Sequence, residues 1–146
     1  LITVRREKWI DCIDQIMPLC QQVFDLEEAK FTGLQLEFDT EMYIESEESN
    51  YFHCLVMRKN GKPIGFHWIV ISPMPRHMGK THAHTDAIFV DPENRQHSNT
   101  LIEFSEQYIK QRADFWTLAN LGVNDRQALW QRKGFKPIET IMFKKL

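Results

Sequence analysis

The residues best placed by type and spacing to do chemistry are His82, His84 and Asp86, in the segment THAHTDAIFV. If this segment is a strand, its period of two sets all three side chains on one face of a sheet. A histidine there suits removal of a proton from an amine, because its pKa lies near neutrality, and Asp86 could serve the same end. The same triplet, with His77 as a further ligand, has the make-up of a divalent-metal site, since His-x-His on a strand is a workable ligand pair. A partly buried polar network without chemistry of its own is the third reading of the pattern.

A second feature follows in the chain. Asp91-Pro92 closes the strand, and a helical pattern then begins, with Leu101, Phe104, Ser105, Tyr108 and Ile109 on one side. A chain that leaves a strand and enters a helix presents free N–H groups and the positive end of the helix dipole, which together favour an anion. Arg95, Gln96, His97, Ser98, Asn99 and Thr100 occupy this turn. Ser98, Asn99 and Thr100 are competent caps and donors, so a plain capped helix start also accounts for them. His97 is read as solvent-exposed.

The elements that must position these residues can be read from the period of apolar positions. Residues 1–6 form a short strand, and Trp9, Ile10, Ile13, Ile16, Met17, Cys20, Val23 and Phe24 then fall on one helical face. Pro18 is expected to bend or divide that helix. A shorter helix is predicted across Leu26 to Phe38, and the acidic stretch Glu41 to Ser49 is expected to face solvent. YFHCLVMRK and KPIGFHWIVIS read as two strands joined by a turn at Asn60-Gly61. His53 and His67 lie in these strands and are read as packing residues. After THAHTDAIFV and its helix come a short strand, DFWTLAN, a helix from Asp125 to Lys133, a stop at Gly134 and a final strand, KPIETIMFKKL. The pattern predicts one α+β domain spanning residues 1–146, a mixed central sheet with a β-hairpin, flanked by about four helices.

Two segments carry a family resemblance. AIFVDPENRQHSNTLIEFSEQYIK resembles the strand, pyrophosphate-binding turn and helix of the GNAT superfamily of N-acetyltransferases, and NDRQALWQRKGFKPIETIMFKKL is similar to that family's last helix and closing strand. Asn124, Ala128, Gly134 and Phe135 match positions of the second motif. In pattern the chain looks closest to small acetyltransferase-like proteins of tailed bacteriophages. The resemblance implies a GNAT-like fold with acetyl-CoA as cofactor, held by Phe89, Val90, the turn residues Arg95, Gln96, His97, Ser98, Asn99 and Thr100, and Asn124. It places the general base on the His-rich strand, at His84 or Asp86, and allows Arg95, Arg126, Arg132, Lys133 and Lys136 to meet the CoA phosphates. Two positions depart from the pattern: Ser98 and Thr100 stand where glycines are usual, and Trp130 stands where many members carry a proton-donating tyrosine. An indole N–H is a very poor acid, so Trp130 is read as core.

Composition bounds these readings. The 146 residues are 42% hydrophobic and 26% charged, ordinary globular values, and no apolar run reaches the roughly 20 residues that cross a bilayer. Cys12, Cys20 and Cys54 form no CxxC pair and read as reduced and buried. Residues 1–50 carry 4 Lys or Arg against 12 Asp or Glu, whereas residues 51–146 carry 14 against 8. An acidic part that receives a cationic amine and a basic part that receives an anion is the arrangement this suggests. The net charge of −2 and the absence of a basic stripe interleaved with aromatics argue against nucleic acid. The expectation is thus a direct N-acetyltransferase acting on an amine of a small molecule or protein, in the cytoplasm, with no membrane partner, no bound metal, and a homodimer allowed for. The rival is a GNAT fold without catalysis, a structural or interaction protein, with phage structural proteins as its partners and the host cytoplasm or virion as its place.

Overall fold

The computed structural model describes residues 1–146, the side chain of Val123 excepted. Strand β1 (Ile2–Arg6) leads into helix α1 (Trp9–Glu27), the short α2 (Ala29–Thr32) and α3 (Thr40–Glu48). Strands β2 (Phe52–Lys59), β3 (Lys62–Pro73) and β4 (Thr81–Val90) follow, then a 3₁₀ segment (Pro92–His97) and α4 (Ser98–Lys110). The last elements are β5 (Phe115–Thr117), a 3₁₀ turn (Gly122–Asn124) and α5 (Gln127–Arg132). The five strands stand in sequence order in one sheet; every pairing is antiparallel except that of β4 with β5, so the sheet is mixed as predicted. The β2–β3 hairpin turns at Asn60 and Gly61, both at positive φ (50° and 84°), the geometry an Asn-Gly pair adopts at least cost.

The two faces of the sheet are covered by different helices. α1 buries Trp9, Cys12, Ile16, Cys20 and Val23 against Cys54, Val56, Phe66 and Trp68, and α3 adds Tyr43, whose ring stacks on Trp9 at 4.4 Å. On the opposite face α4 seats Leu101, Tyr108 and Ile109 over Leu55, Ile69, Ala83 and Val90. His67 crosses this second interface. Its Nδ1 lies 2.7 Å from Ser105 Oγ and its Nε2 2.8 Å from Thr85 Oγ1, while Trp116 Nε1 donates to the same Thr85 oxygen at 2.9 Å. One ring thereby ties α4, β3, β4 and β5 together, and burial depresses its pKa to about 3.

Several elements differ from the sequence expectation. α1 runs through Pro18 as one helix; Pro18 and Asp14, whose carbonyl loses its partner, both lie on the exposed side, where water can take the lost bond. The predicted helix from Leu26 to Phe38 is reduced to Ala29–Thr32, because Gly33 turns left-handed (φ 67°) and ends it. The acidic stretch is helical, capped by Asp39 Oδ1 on the Met42 N–H, and its Tyr43 is drawn into the aromatic core, so five helices flank the sheet. Residues 136–146 form no strand: after Gly134 (φ 97°) the segment is exposed, and Phe143 meets Phe31 at 5.2 Å.

Neutral His67 sets a stability dependence whose sign is fixed. Its folded pKa lies below the unfolded value of about 6.5, so the unfolded chain binds more protons between those limits, and stability falls as pH drops through that window. Urea melts should show a decline of up to about 1.4 kcal/mol per pH unit from pH 6 toward pH 4. A His67→Asn variant, less stable at neutral pH, should show a visibly flatter decline.

Candidate active site

β4 carries one more residue than its partner allows. β3 residues Trp68 and Ile69 pair with Ala87 and Thr85, so Asp86 is the extra residue of a β-bulge. The parity of the strand changes there: Ala83 lies with the α4-side core and Thr85 bonds His67, whereas Ala87 and Phe89 lie with the α1-side core. β5 pairs with β4 only from His82 to His84. Beyond that point the two chains part, and a cavity of about 800 Å³ opens between residues 84–90 of β4 and residues 118–121.

The sequence-predicted residues separate cleanly around this cavity. His84, Asp86, Phe89 and Val90 line it from β4, and Arg95, Gln96, Ser98 and Asn99 line it from the turn and the start of α4. Asn124 and Trp130 close it from the far side, whereas His97 and Thr100 are not part of its wall. Ser98 has helical dihedrals (φ −57°, ψ −39°), and no residue from 91 to 100 has positive φ, so a glycine's conformational freedom is not required in this turn. None of Ser98, Asn99 and Thr100 caps α4: the N-cap position falls on His97, without a side-chain bond, because the 3₁₀ segment continues into the helix.

Two guanidinium groups rim the cavity. Arg95 lies 5.2 Å from the centre of the Phe89 ring and donates Nε to Val90 O at 2.6 Å; burial and, after it, the charge of Arg126 lower its pKa. Arg126 donates Nε to Asn124 Oδ1 at 3.3 Å, and Asn124 donates Nδ2 to Glu27 Oε1 at 3.0 Å, which ties the end of α1 to the segment before α5. The ion pair found among the described residues is Arg58 with Glu7, so Arg95 and Arg126 both lack a carboxylate partner there.

Glu28 and Asp86, which act on each other, make an acidic end, and Glu27 stands between it and the guanidiniums, adjoining Glu28 and bonded to Asn124 beside Arg126. Burial raises the pKa of all three; the hydrogen bond from Asn124 opposes the rise at Glu27, Asp86 adds to it at Glu28, and His84 opposes it at Asp86. Asp86 is open to the cavity yet sits deep in its concave wall, which is why desolvation dominates. Tyr43 borders this end, its hydroxyl pushed up to about 12 by burial and by Asp86.

His82 and His84 do share a face, as alternation predicts, but they converge on a hydroxyl: His82 Nε2 and His84 Nδ1 lie 2.6 and 2.8 Å from Thr117 Oγ1. Among the described residues no three His, Cys, Asp or Glu side chains are gathered to hold a metal ion, so the His82–His84–Asp86 ligand set is not assembled; His77 lies in the exposed β3–β4 loop. Trp130 is buried and meets Phe135 edge-on at 5.6 Å. Tyr108 is held by His53 at 2.6 Å on the α4 side of the sheet, outside the cavity wall. Sequence reasoning did not single out Glu27, Glu28, Phe31 or Thr117. The first three read as helix surface, and Thr117 acquires its place only through the parallel pairing of β5 with β4.

The family model for acetyltransferases (GNAT) matches residues 20–135 of the chain. No curated protein matches the sequence. Solved structures that share the fold include a ribosomal-protein-alanine N-acetyltransferase from Brucella melitensis biovar Abortus 2308, with TM-score 0.75 at 14% identity, covering 100% of this chain and 99% of that one. An aminoglycoside acetyltransferase from an uncultured soil metagenomic sample, in complex with sisomicin, gives 0.73 at 16% identity, with 99% and 96% covered. Glucosamine-6-phosphate N-acetyltransferase from Arabidopsis thaliana gives 0.72 at 14% identity, with 99% and 98% covered.

The coupling of Asp86 to His84 is open to direct measurement. Carbon-13 detected titration should place the Asp86 carboxyl above the usual aspartate range, and His84→Gln, by removing the opposing imidazole, should raise its midpoint further.

Proposed function

Because the chain belongs to the GNAT family of acetyltransferases, we propose that it is an N-acetyltransferase that moves an acetyl group from acetyl-CoA to an amine. The observation that carries this reading is the open cavity at the parting of β4 and β5, with Arg95 and Arg126 on its rim and neither in an ion pair among the described residues. Two guanidiniums that repel each other, with Asp91 and Glu27 near but not paired to Arg95, form a site suited to a polyanion such as the pyrophosphate of CoA. Ser98 and Asn99 at the first turn of α4 add donors beside them. Phe89 and Val90 border the apolar path along β4, where backbone groups not paired to β5 can bond an extended ligand arm.

When bound, acetyl-CoA supplies an acetyl group activated as a thioester. The residues of this chain hold it, exclude water and manage the proton. The acidic end, Glu28 and Asp86, attracts a cationic amine, and His84, whose Nε2 has no partner among the described residues, takes the proton that makes the amine nucleophilic. Trp130 offers no acid for the thiol of CoA, and a thiolate, being far less basic than an alkoxide or an amide, would not require one. The charge asymmetry of the chain meets in one place: carboxylates from residues 27 and 28 and guanidiniums from residues 95 and 126 line the same cavity.

A catalytically silent scaffold is the second reading, favoured by buried Trp130 in the place of a tyrosine acid. Calorimetric titration separates the two. Acetyl-CoA and CoA should both bind in the micromolar range, and Arg126→Ala, at an exposed position, should weaken binding roughly tenfold, the loss of one charge-assisted contact. No heat at high micromolar ligand would overturn the acetyltransferase reading. With binding established, mass spectrometry of a primary-amine panel should show acetylated product, which His84→Gln reduces about a hundredfold or more while acetyl-CoA affinity is kept.

A further inference from the structure

We propose that Thr117 and His82 are positioning residues that set the proton-accepting tautomer of His84. The inference rests on the reading of His84 as the base and adds to it what the hydroxyl between the two imidazoles does. Thr117 is the register partner of His84 across the parallel β4–β5 pair, so both side chains emerge on the same face. Its Oγ1 lies 2.8 Å from His84 Nδ1 and 2.6 Å from His82 Nε2, and it has no other partner among the described residues.

A hydroxyl has one proton. It can donate to one imidazole only, and the other ring must then donate to it. Two arrangements satisfy both contacts. In the first, His84 Nδ1–H donates to Thr117 Oγ1 and Thr117 O–H donates to His82 Nε2; His84 Nε2 then carries a lone pair toward the cavity. In the second, every donor reverses, His84 Nε2 carries a proton, and the ring cannot act as a base. In the first arrangement His84 Nε2 accepts the amine proton while Nδ1–H still donates to Thr117 Oγ1, and the imidazolium that results returns the Nε2 proton to water through the open cavity, which restores the starting state.

His82 is only half-buried, and its Nδ1 has no partner among the described residues. Burial and, after it, the neighbouring His84 lower its pKa, which keeps the ring neutral and its Nε2 able to accept from Thr117. Asp86 on β4 is the carboxyl on which His84 acts, and Glu27, Glu28 and Arg126 share the cavity wall with His84, whereas His82 is not part of that wall.

Long-range proton–nitrogen correlation spectra of nitrogen-15 histidine-labelled protein test the proposal without any substrate. With both rings neutral, His84 should be protonated at Nδ1 and bare at Nε2, and His82 bare at Nε2. Thr117→Val should remove the preference in both rings, while Thr117→Ser restores the wild-type spectrum. His82→Gln, which leaves the hydroxyl in place, should shift the tautomer balance of His84 with the fold intact. His84 found protonated at Nε2 in the wild type, or tautomers unchanged in Thr117→Val, would overturn the assignment. Failure of acetyl-CoA to bind would instead overturn the acetyltransferase reading and leave these spectra as they are.

Discussion

A strand can bond along both edges only while each neighbour keeps its register, and β4 loses one neighbour beside the inserted Asp86. Pairing with β3 continues to Val90, so the strand stays anchored, but its β5-side backbone groups beyond His84 are left without a strand partner. Unpaired backbone groups in a walled space need partners, and a cavity lined by them is a binding surface by construction. The bulge also changes the parity of the strand, so that Ala87 and Phe89 follow Asp86 onto the α1 side where plain alternation from Ala83 and Thr85 would turn them to α4.

The parting of the strands is held open from beneath by a polar network in an otherwise apolar layer. Thr85, immediately before the bulge, is held by His67 and by Trp116 of β5. Because Ser105 of α4 holds the other ring nitrogen, the last paired stretch of β4 and β5 is fixed to the helix that begins at the anion end of the cavity. A neutral imidazole suits this place: it offers a donor and an acceptor in opposite directions without the cost of burying a charge.

Much of this was legible in the sequence, for reasons that are local. Alternation of His82 and His84, the Asn60-Gly61 turn, the helix after Asp91-Pro92 and the burial of Trp130 depend on period, turn chemistry or polarity within a few residues. What escaped depends on partners far away. The bulge at Asp86 exists only relative to β3, Thr117 meets the histidines only through β5, and Pro18 is tolerated because of which side of α1 faces solvent. The closing strand failed for a related reason: the apolar run Ile138 to Phe143 has strand character, yet no hydrogen-bonded neighbour receives it. Glu27 and Glu28 looked like surface because a helix end and a cavity rim have the same composition.

That unpaired closing segment leaves β5 as a sheet edge bearing the exposed Phe115, and leaves Ile138, Ile141, Met142 and Phe143 exposed. An open edge near apolar chain invites intermolecular strand addition, the first step toward aggregates. Two features of the chain oppose it: β5 is only three residues long, too short a template for stable pairing, and Lys144 and Lys145 follow the apolar run as flanking charges. Resistance to strand addition at this edge therefore draws on Lys144 and Lys145 as much as on the brevity of β5.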